Sequence, residues 1–273
     1  MTMRRLYFVI SLISILCISL LISSCDDDPA SVNDEPPKLP PVQSMEADFS
    51  DFESQQEKTQ PQVESSDNFQ RAVSTAFLMK AAIEFNLAIP RALLTAAKNA
   101  DAELNEDEQW EWSFSKSTDG KTFGVRLVGS REGENTVNWQ FFVTNSQLGL
   151  EDHLFFSGTT NSDETEGVWT YYSLQDTANK EEVSRIEWTV NGEDDVQLRL
   201  DVSSDRNGNK GDYIDYTFDG TLKTATYHDS SEDEETTIQI NVDNEAGYII
   251  APEYNNGNKA CWDENFQDIT CNE

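Results

Sequence analysis

Between Phe69 and Ala88 apolar side chains return at helical spacing, at Phe69, Val73, Ala76, Phe77, Ile83 and Leu87. Positions three and four apart share one side of a helix, so this stretch predicts a helix with an apolar face. Ser66-Asp67-Asn68 places N-cap residues just ahead of it. Pro90 suits a first helical turn and predicts a second helix running on to Ala100. Around Phe77–Ile83 the stretch is apolar on most sides, broken by Lys80. A helix with that composition is expected to be buried, with Phe77 and Ile83 inside the fold. As a membrane span it is too short and too interrupted.

From Trp110 the period becomes two. Trp110, Trp112 and Phe114 alternate with Glu111, Ser113 and Ser115. Val137, Trp139, Phe141 and Val143 alternate with Asn138, Gln140 and Thr144, and Ile186, Trp188 and Val190 with Glu187 and Thr189. Val196, Leu198, Leu200 and Val202 face away from Gln197, Arg199 and Asp201, and Ile238, Ile240 and Val242 repeat the pattern. Weaker strand signals cover Phe123–Val128, His153–Ser157, Val168–Leu174, Tyr213–Phe218 and Leu222–Tyr227. Asp119-Gly120, Asn191-Gly192, Asn207-Gly208 and Asp219-Gly220 are the pairs that tight hairpins prefer. About ten or eleven strands with short turns and no crossover helices predict a mainly β fold, an antiparallel meander. One aromatic face must be covered, so the expected architecture is a barrel or half-barrel with the helices packed on or in it. A two-sheet β-sandwich is the alternative. No internal repeat points to a propeller or solenoid.

Ahead of this domain, which would span residues 67–273, residues 25–66 are rich in Asp, Glu, Gln, Ser and Pro and predict a disordered tether. Its few apolar points are Met45, Phe49 and Phe52. Residues 1–24 have a different character. Arg4 and Arg5 form a basic head, Leu6 to Ile22 an apolar middle, and Ser23-Ser24 a pair of small residues before Cys25. This is the layout of a secretory signal with a cleavage site. An uncleaved anchor is the competing reading, since the apolar run is near the minimum for a span. The small residues and the abrupt Asp26-Asp27-Asp28 favour cleavage.

With cysteine in the last place, the segment resembles the lipobox of bacterial lipoprotein precursors. That resemblance implies a diacylglyceryl thioether on Cys25, cleavage before it by signal peptidase II, often acylation (palmitate) of the new amine, and a protein anchored to a membrane without spanning it. An aspartate directly after the lipid cysteine resembles an inner-membrane retention signal of enterobacterial lipoproteins. A cluster of acids there resembles a surface-export signal in other Gram-negative groups. The cluster of three fits the second better, so the expected location is the cell envelope, at the outer membrane and displayed on its surface.

Composition narrows the partners. The chain has 51 acidic and 19 basic residues and a net charge of −32. Nucleic acid is excluded as a partner, because phosphates need Lys and Arg, and anionic lipid is disfavoured as a resting surface. Once Cys17 leaves with the signal and Cys25 carries lipid, Cys261 and Cys271 remain, an even pair expected to form a disulfide in an oxidising compartment.

Motifs for chemistry are scarce. His153 and His228 are the two histidines, and there is no Gly-x-Ser-x-Gly elbow, His-Glu-x-x-His, Walker loop or Gly-x-Gly-x-x-Gly. One stretch, from Asp205 to Asp212, spaces oxygen donors as a hard cation such as Ca²⁺ requires, with Asp205, Asn207, Asn209 and Asp212 as weak candidate ligands. It has Lys210 where an EF-hand loop has glycine, and hairpin turn chemistry explains the same residues. The expected function is therefore a non-enzymatic, lipid-anchored surface protein whose β domain binds or joins an envelope partner. The alternatives are a carrier of a small hydrophobic ligand in a barrel cavity and a carboxylate-dependent hydrolase.

Overall fold

The computed structural model describes residues 35–52, 67–118, 120–175, 180–205 and 208–271. The compact unit that holds the described elements begins at Pro36. After α1 (Asp67–Ala97), the described residues form a run of strands, all antiparallel to their neighbours and all joined in one sheet in sequence order. They are β1 (Glu103–Leu104), β2 (Trp110–Thr118), β3 (Lys121–Glu132), β4 (Thr136–Asn145), β5 (Leu150–Asn161), β6 (Glu166–Tyr172) and β7 (Glu182–Gly192). The second half adds β8 (Asp195–Val202), β9 (Tyr213–Phe218), β10 (Leu222–Asp229), β11 (Glu234–Asn241), β12 (Gly247–Ile250), β13 (Ala260–Trp262) and β14 (Asp268–Ile269). The fold is thus the expected mainly β meander, with 14 strands instead of ten or eleven. The additional strands are β1, β12, β13 and β14, each two to four residues long, too short to carry a readable alternation. Among the described residues β1 and β14 are the edges of the sheet and do not pair, so the sheet is not closed; of the expected architectures this is consistent with the half-barrel or the sandwich and not with a closed barrel. Two-residue edge strands offer little backbone for unwanted pairing.

The apolar face of the sheet, α1 and the segment before the helix share one continuous core. Four tryptophans on this face lie against glycines of the adjoining strand: Gly129↔Trp139, Gly158↔Trp169, Gly167↔Trp188 and Gly247↔Trp262 are register pairs. A Cβ on Gly158 would stand 2.1 Å from Trp169 Cε3, and one on Gly247 2.4 Å from Trp262 Cζ2. The indoles lie over backbone that only glycine leaves free, which explains glycines in the middle of long strands. In β5 a bulge opposite Phe141/Phe142 interrupts the pairing. Leu154, Phe155 and Phe156 are consequently buried in succession, and the alternation of that strand is weak in sequence.

α1 buries a stripe of Phe69, Ala72, Ala76, Met79, Ile83, Leu87, Leu94 and Ala97 against β10–β14. It is one helix and not the expected two. Pro90 lies inside it, and the legs Asp67–Glu84 and Ile89–Ala97 meet at 59°. Proline lacks the N–H of the helical ladder and its ring collides with the carbonyl four residues earlier, so the helix bends. Asn86 sits at the bend, donating to the Ala82 carbonyl (2.8 Å) and accepting from Ser184 Oγ of β7 (3.1 Å). The burial expected of Phe77 is also corrected: Ile83 is inside, but Phe77 is 65% exposed, a quarter-turn away from the buried stripe. At the helix N-terminus Asp268 of β14 accepts the backbone N–H of Asn68 (3.2 Å). The Asn68 side chain donates to the Cys261 carbonyl (2.8 Å) and accepts from Tyr254 (2.6 Å). Phe69 packs 5.4 Å from Trp262 and 4.5 Å from Phe266, ring centre to ring centre.

The tether reading is corrected for residues 36–52, which form an ordered strap over the apolar face. It includes a 3-10 turn at Val42–Met45 that touches β7, β8 and α1. Met45, Ala47, Phe49 and Phe52 are buried, and Phe49 lies 5.6 Å from Tyr216. A few large apolar side chains met a face that had no other cover, and their burial outweighs the entropy of ordering a polar, proline-rich segment. Lys223, projecting from β10 into this core and only 6% exposed, anchors the strap by hydrogen bonds to Asp48 (2.6 Å) and Asp51. Tyr216 donates to the Asp48 carbonyl (3.1 Å). Residues 25–34 and 53–66 lie outside the described residues.

Candidate functional site

The opposite face of the sheet is polar, and its strand register sets side chains in rows. One row crosses eight strands from β4 to β11: Asn138, Thr159, Val168, Glu187, Arg199, Asp215, Thr226 and Thr237 are successive partners. A second runs Gln140, Ser157, Thr170, Arg185, Asp201, Tyr213, His228 and Glu235. Side chains directly opposite one another on adjacent strands stand about 5 Å apart, so each row, apart from Val168 in the first, is a line of hydrogen-bonding groups. A hollow of about 910 Å³ opens on this face between Asn135 and Thr217, with Thr159, Glu187, Gln197, Arg199 and Asp215 in its wall. A second, of about 490 Å³, shares Thr159 and Val168 with it and extends to Asn138, Gln140, Thr170 and Arg185.

Arg199 is the centre of charge. Its guanidinium donates to Asp201 (3.0 Å) and Asp215 (2.8 Å) and lies over the Tyr213 ring, 3.8 Å from its centre. Tyr213 stacks on His228 at 4.7 Å and donates to Glu235 (2.6 Å). Burial pushes the Asp215 carboxyl above the ordinary aspartate value. Arg199 pulls it down, but Asp201 and Glu235 push it up again, and the net direction is upward. One cation is shared among several carboxylates, so close pairing does not fully offset their crowding. The hydrogen bond to Glu235, with burial, raises the Tyr213 phenol. Such a surface can accept and donate many hydrogen bonds and holds an excess of negative charge. No protein-family model, curated protein or solved structure matches the chain.

The residues singled out in sequence are dispersed. His153 on β5 donates weakly through Nε2 to the Ser173 carbonyl (3.4 Å), and His228 is on β10, so the two histidines share no site. In the candidate cation loop, Asp212 is buried and both carboxylate oxygens are occupied. Oδ2 accepts from Tyr227 (2.7 Å), and Oδ1 from the Ser230 backbone (2.9 Å) and hydroxyl (2.8 Å). Burial and the Asp212 hydrogen bond raise the Tyr227 phenol well above its usual range. Asp205 accepts the Gly208 N–H (2.8 Å), the turn chemistry expected without a metal. Asn209 Oδ1 is buried without a partner, and Asn207 lies outside the described residues. Among the described residues no group of three or more His, Cys, Asp or Glu side chains is arranged to hold a metal ion. Asp212 instead joins the β8–β9 and β10–β11 turns. Cys261 and Cys271 are disulfide-bonded, 5.3 Å apart at Cα. Cys25 lies outside the described residues.

The rows on the polar face are only partly visible in the sequence. Alternation separates Glu187, Gln197, Arg199 and Asp201 from the core, but it does not say which of them become neighbours. Tyr213, Asp215 and Glu235 join Arg199 only through the register of β8 to β11.

Proposed function

We propose that this chain is a non-enzymatic lipoprotein of the cell envelope, anchored at the outer membrane through Cys25, whose polar sheet face binds a hydrogen-bonding envelope partner. The observation that carries the reading is the open hollow of about 910 Å³, which crosses the strands between Asn135 and Thr217 and is lined by hydroxyls, amides and the Glu187–Arg199–Asp215 row together with apolar groups such as Val168. The excess of carboxylates there favours a partner segment with basic or hydroxyl groups over an acidic one. A carrier of hydrophobic ligands would need space on the apolar side of the sheet, which the buried stripe of α1 and the strap occupy. Against a hydrolase, Asp201 and Asp215 are both engaged with Arg199.

Two measurements test the two halves of this reading. Palmitate should enter the wild-type chain and not Cys25→Ala; equal labelling refutes the anchor. For the binding face, a photo-cross-linking residue at exposed Gln197 should give one adduct on intact cells. The exposed substitution Glu187→Lys should remove it without shifting the unfolding temperature. An adduct indifferent to that reversal, or none at all, refutes the binding face.

A further inference from the structure

We infer that the outward face of α1 lies on the bilayer, its apolar side chains seated at the boundary between headgroups and acyl chains. The inference rests on the reading of Cys25 as a lipid anchor and adds the surface by which the domain meets the membrane. α1 has a second apolar stripe besides the buried one: Phe77, Leu78, Ala81, Ala82, Ile89 and Ala92 all face solvent, Leu78 at 69% and Ile89 at 54% exposure. Phe77, Leu78, Ala81 and Ala82 recur three and four apart on the first leg of the helix, and Ile89 and Ala92 are three apart on the second, so each leg turns apolar side chains outward. None carries a charge, in a chain with 51 acids. Lys80, Glu84 and Arg91 stand along one flank of the stripe, with Arg91 bonded to Glu84 (2.7 Å) and paired with Glu46 (3.7 Å). A hollow of about 380 Å³ between Phe77, Leu78, Val73, Phe49 and Phe52 continues the apolar surface onto the strap. A contiguous apolar patch with a charged margin marks a contact surface.

Chain length argues for the bilayer as the occupant. Because the compact unit begins at Pro36, only the residues from Asp26 to Glu35 separate it from Cys25. Even fully extended, that stretch reaches about 35 Å. A lipidated chain would therefore hold the domain within one domain diameter of the membrane, where an apolar helix face can reach it. The two or three acyl chains implied at Cys25 supply the attachment, and the helix face sets how the tethered domain rests on the bilayer. Because the domain is acidic and its outward helix stripe uncharged, the contact is with zwitterionic rather than anionic headgroups. No single helix among the described residues is long and apolar enough to cross the membrane. α1, bent by 59° and buried along its other side, would lie on it.

The test uses the full chain, purified with its lipid and returned to phosphatidylcholine vesicles containing brominated acyl chains. A fluorophore is placed on Leu78→Cys or, as a control on the polar face of β2, on Ser113→Cys; both positions are exposed. The expected result is quenching several-fold stronger at position 78 than at 113. Adding Ile89→Glu should weaken insertion by about tenfold, the effect of losing one large apolar side chain from lipid. Equal quenching at the two positions overturns the inference. So does cross-linking of Leu78→Cys to a second copy without bromine quenching, which would assign the face to a dimer. Palmitate labelling of Cys25 is read separately. Label without quenching at position 78 refutes the face alone, and quenching without label refutes the anchor alone.

Discussion

Replacing Lys223 by Met removes the charge that fastens the strap while keeping the length of the side chain, so little cavity is created. The ammonium of Lys223 is bonded to Asp48 and Asp51, whose side chains are 53% and 28% exposed. Breaking a fully buried ion pair by removing one partner costs about 3 to 5 kcal/mol. Here both carboxylates keep contact with water, which lowers the expected loss to about 1 to 3 kcal/mol. Burial opposes ionisation of Asp48, but its hydrogen bonds from Lys223 and Ser50 outweigh burial and hold the carboxyl below its usual value. Burial also opposes the charge on Lys223, and Asp48 and Asp51 more than offset it, raising the ammonium above its usual value. A depressed acid stabilises above its unfolded pKa of about 3.9 and loses that contribution as pH falls through its folded value. A raised base stabilises below its unfolded pKa of about 10.4 and loses that contribution as pH rises through its folded value. The difference between wild type and Lys223→Met should therefore be flat across neutral pH and shrink at both extremes, first on the acid side below about pH 4. Urea unfolding at pH 3, 5 and 7 measures it as a shift in midpoint at constant slope. Asp48→Asn with Asp51→Asn should cost much less in the Lys223→Met background than alone. Equal stability of Lys223→Met and wild type at pH 7, or a loss undiminished by acid, refutes the anchor.

Three further outcomes are expected from the packing. Ile83→Ala should cost about 2 to 5 kcal/mol and Phe77→Ala less than about 0.5 kcal/mol in thermal unfolding, because Ile83 is buried and Phe77 is not; equal losses would contradict the helix orientation. Gly158→Ala should destabilise by about 1 to 3 kcal/mol, since its Cβ would stand 2.3 Å from the Val168 carbonyl oxygen as well as on Trp169; an unchanged melting temperature would count against the glycine–tryptophan packing. Cys261→Ser with Cys271→Ser opens a short loop and should cost about 3 kcal/mol in the chain-entropy model. Alkylation of both thiols without reductant in the wild-type protein would show the bridge to be missing.

Much of the fold is determined locally. Alternation in Val137–Thr144, Ile186–Val190 and Val196–Val202 makes one face apolar and the other polar whatever the partner strand, because strand side chains point to opposite faces in turn. Asx-Gly pairs and the absence of crossover helices then compel an antiparallel meander. The cysteine pair comes from counting. Tertiary structure decided what local pattern leaves open. The strap reads as tether because its composition is polar; three large apolar residues and two aspartates order it only where Tyr216, Lys223 and the uncovered sheet face await them. Around Phe77–Ile83 α1 is apolar on most sides, so its sequence there does not specify an inward side; packing against β10–β14 chose the Phe69–Ile83–Ala97 stripe and left Phe77, Leu78 and Ile89 outside. The polar rows are a matter of register, since a strand slipped by one residue would carry Arg199 to the opposite face, away from Asp215. Periodicity is a property of each strand alone, whereas neighbours across strands exist only once the sheet has assembled.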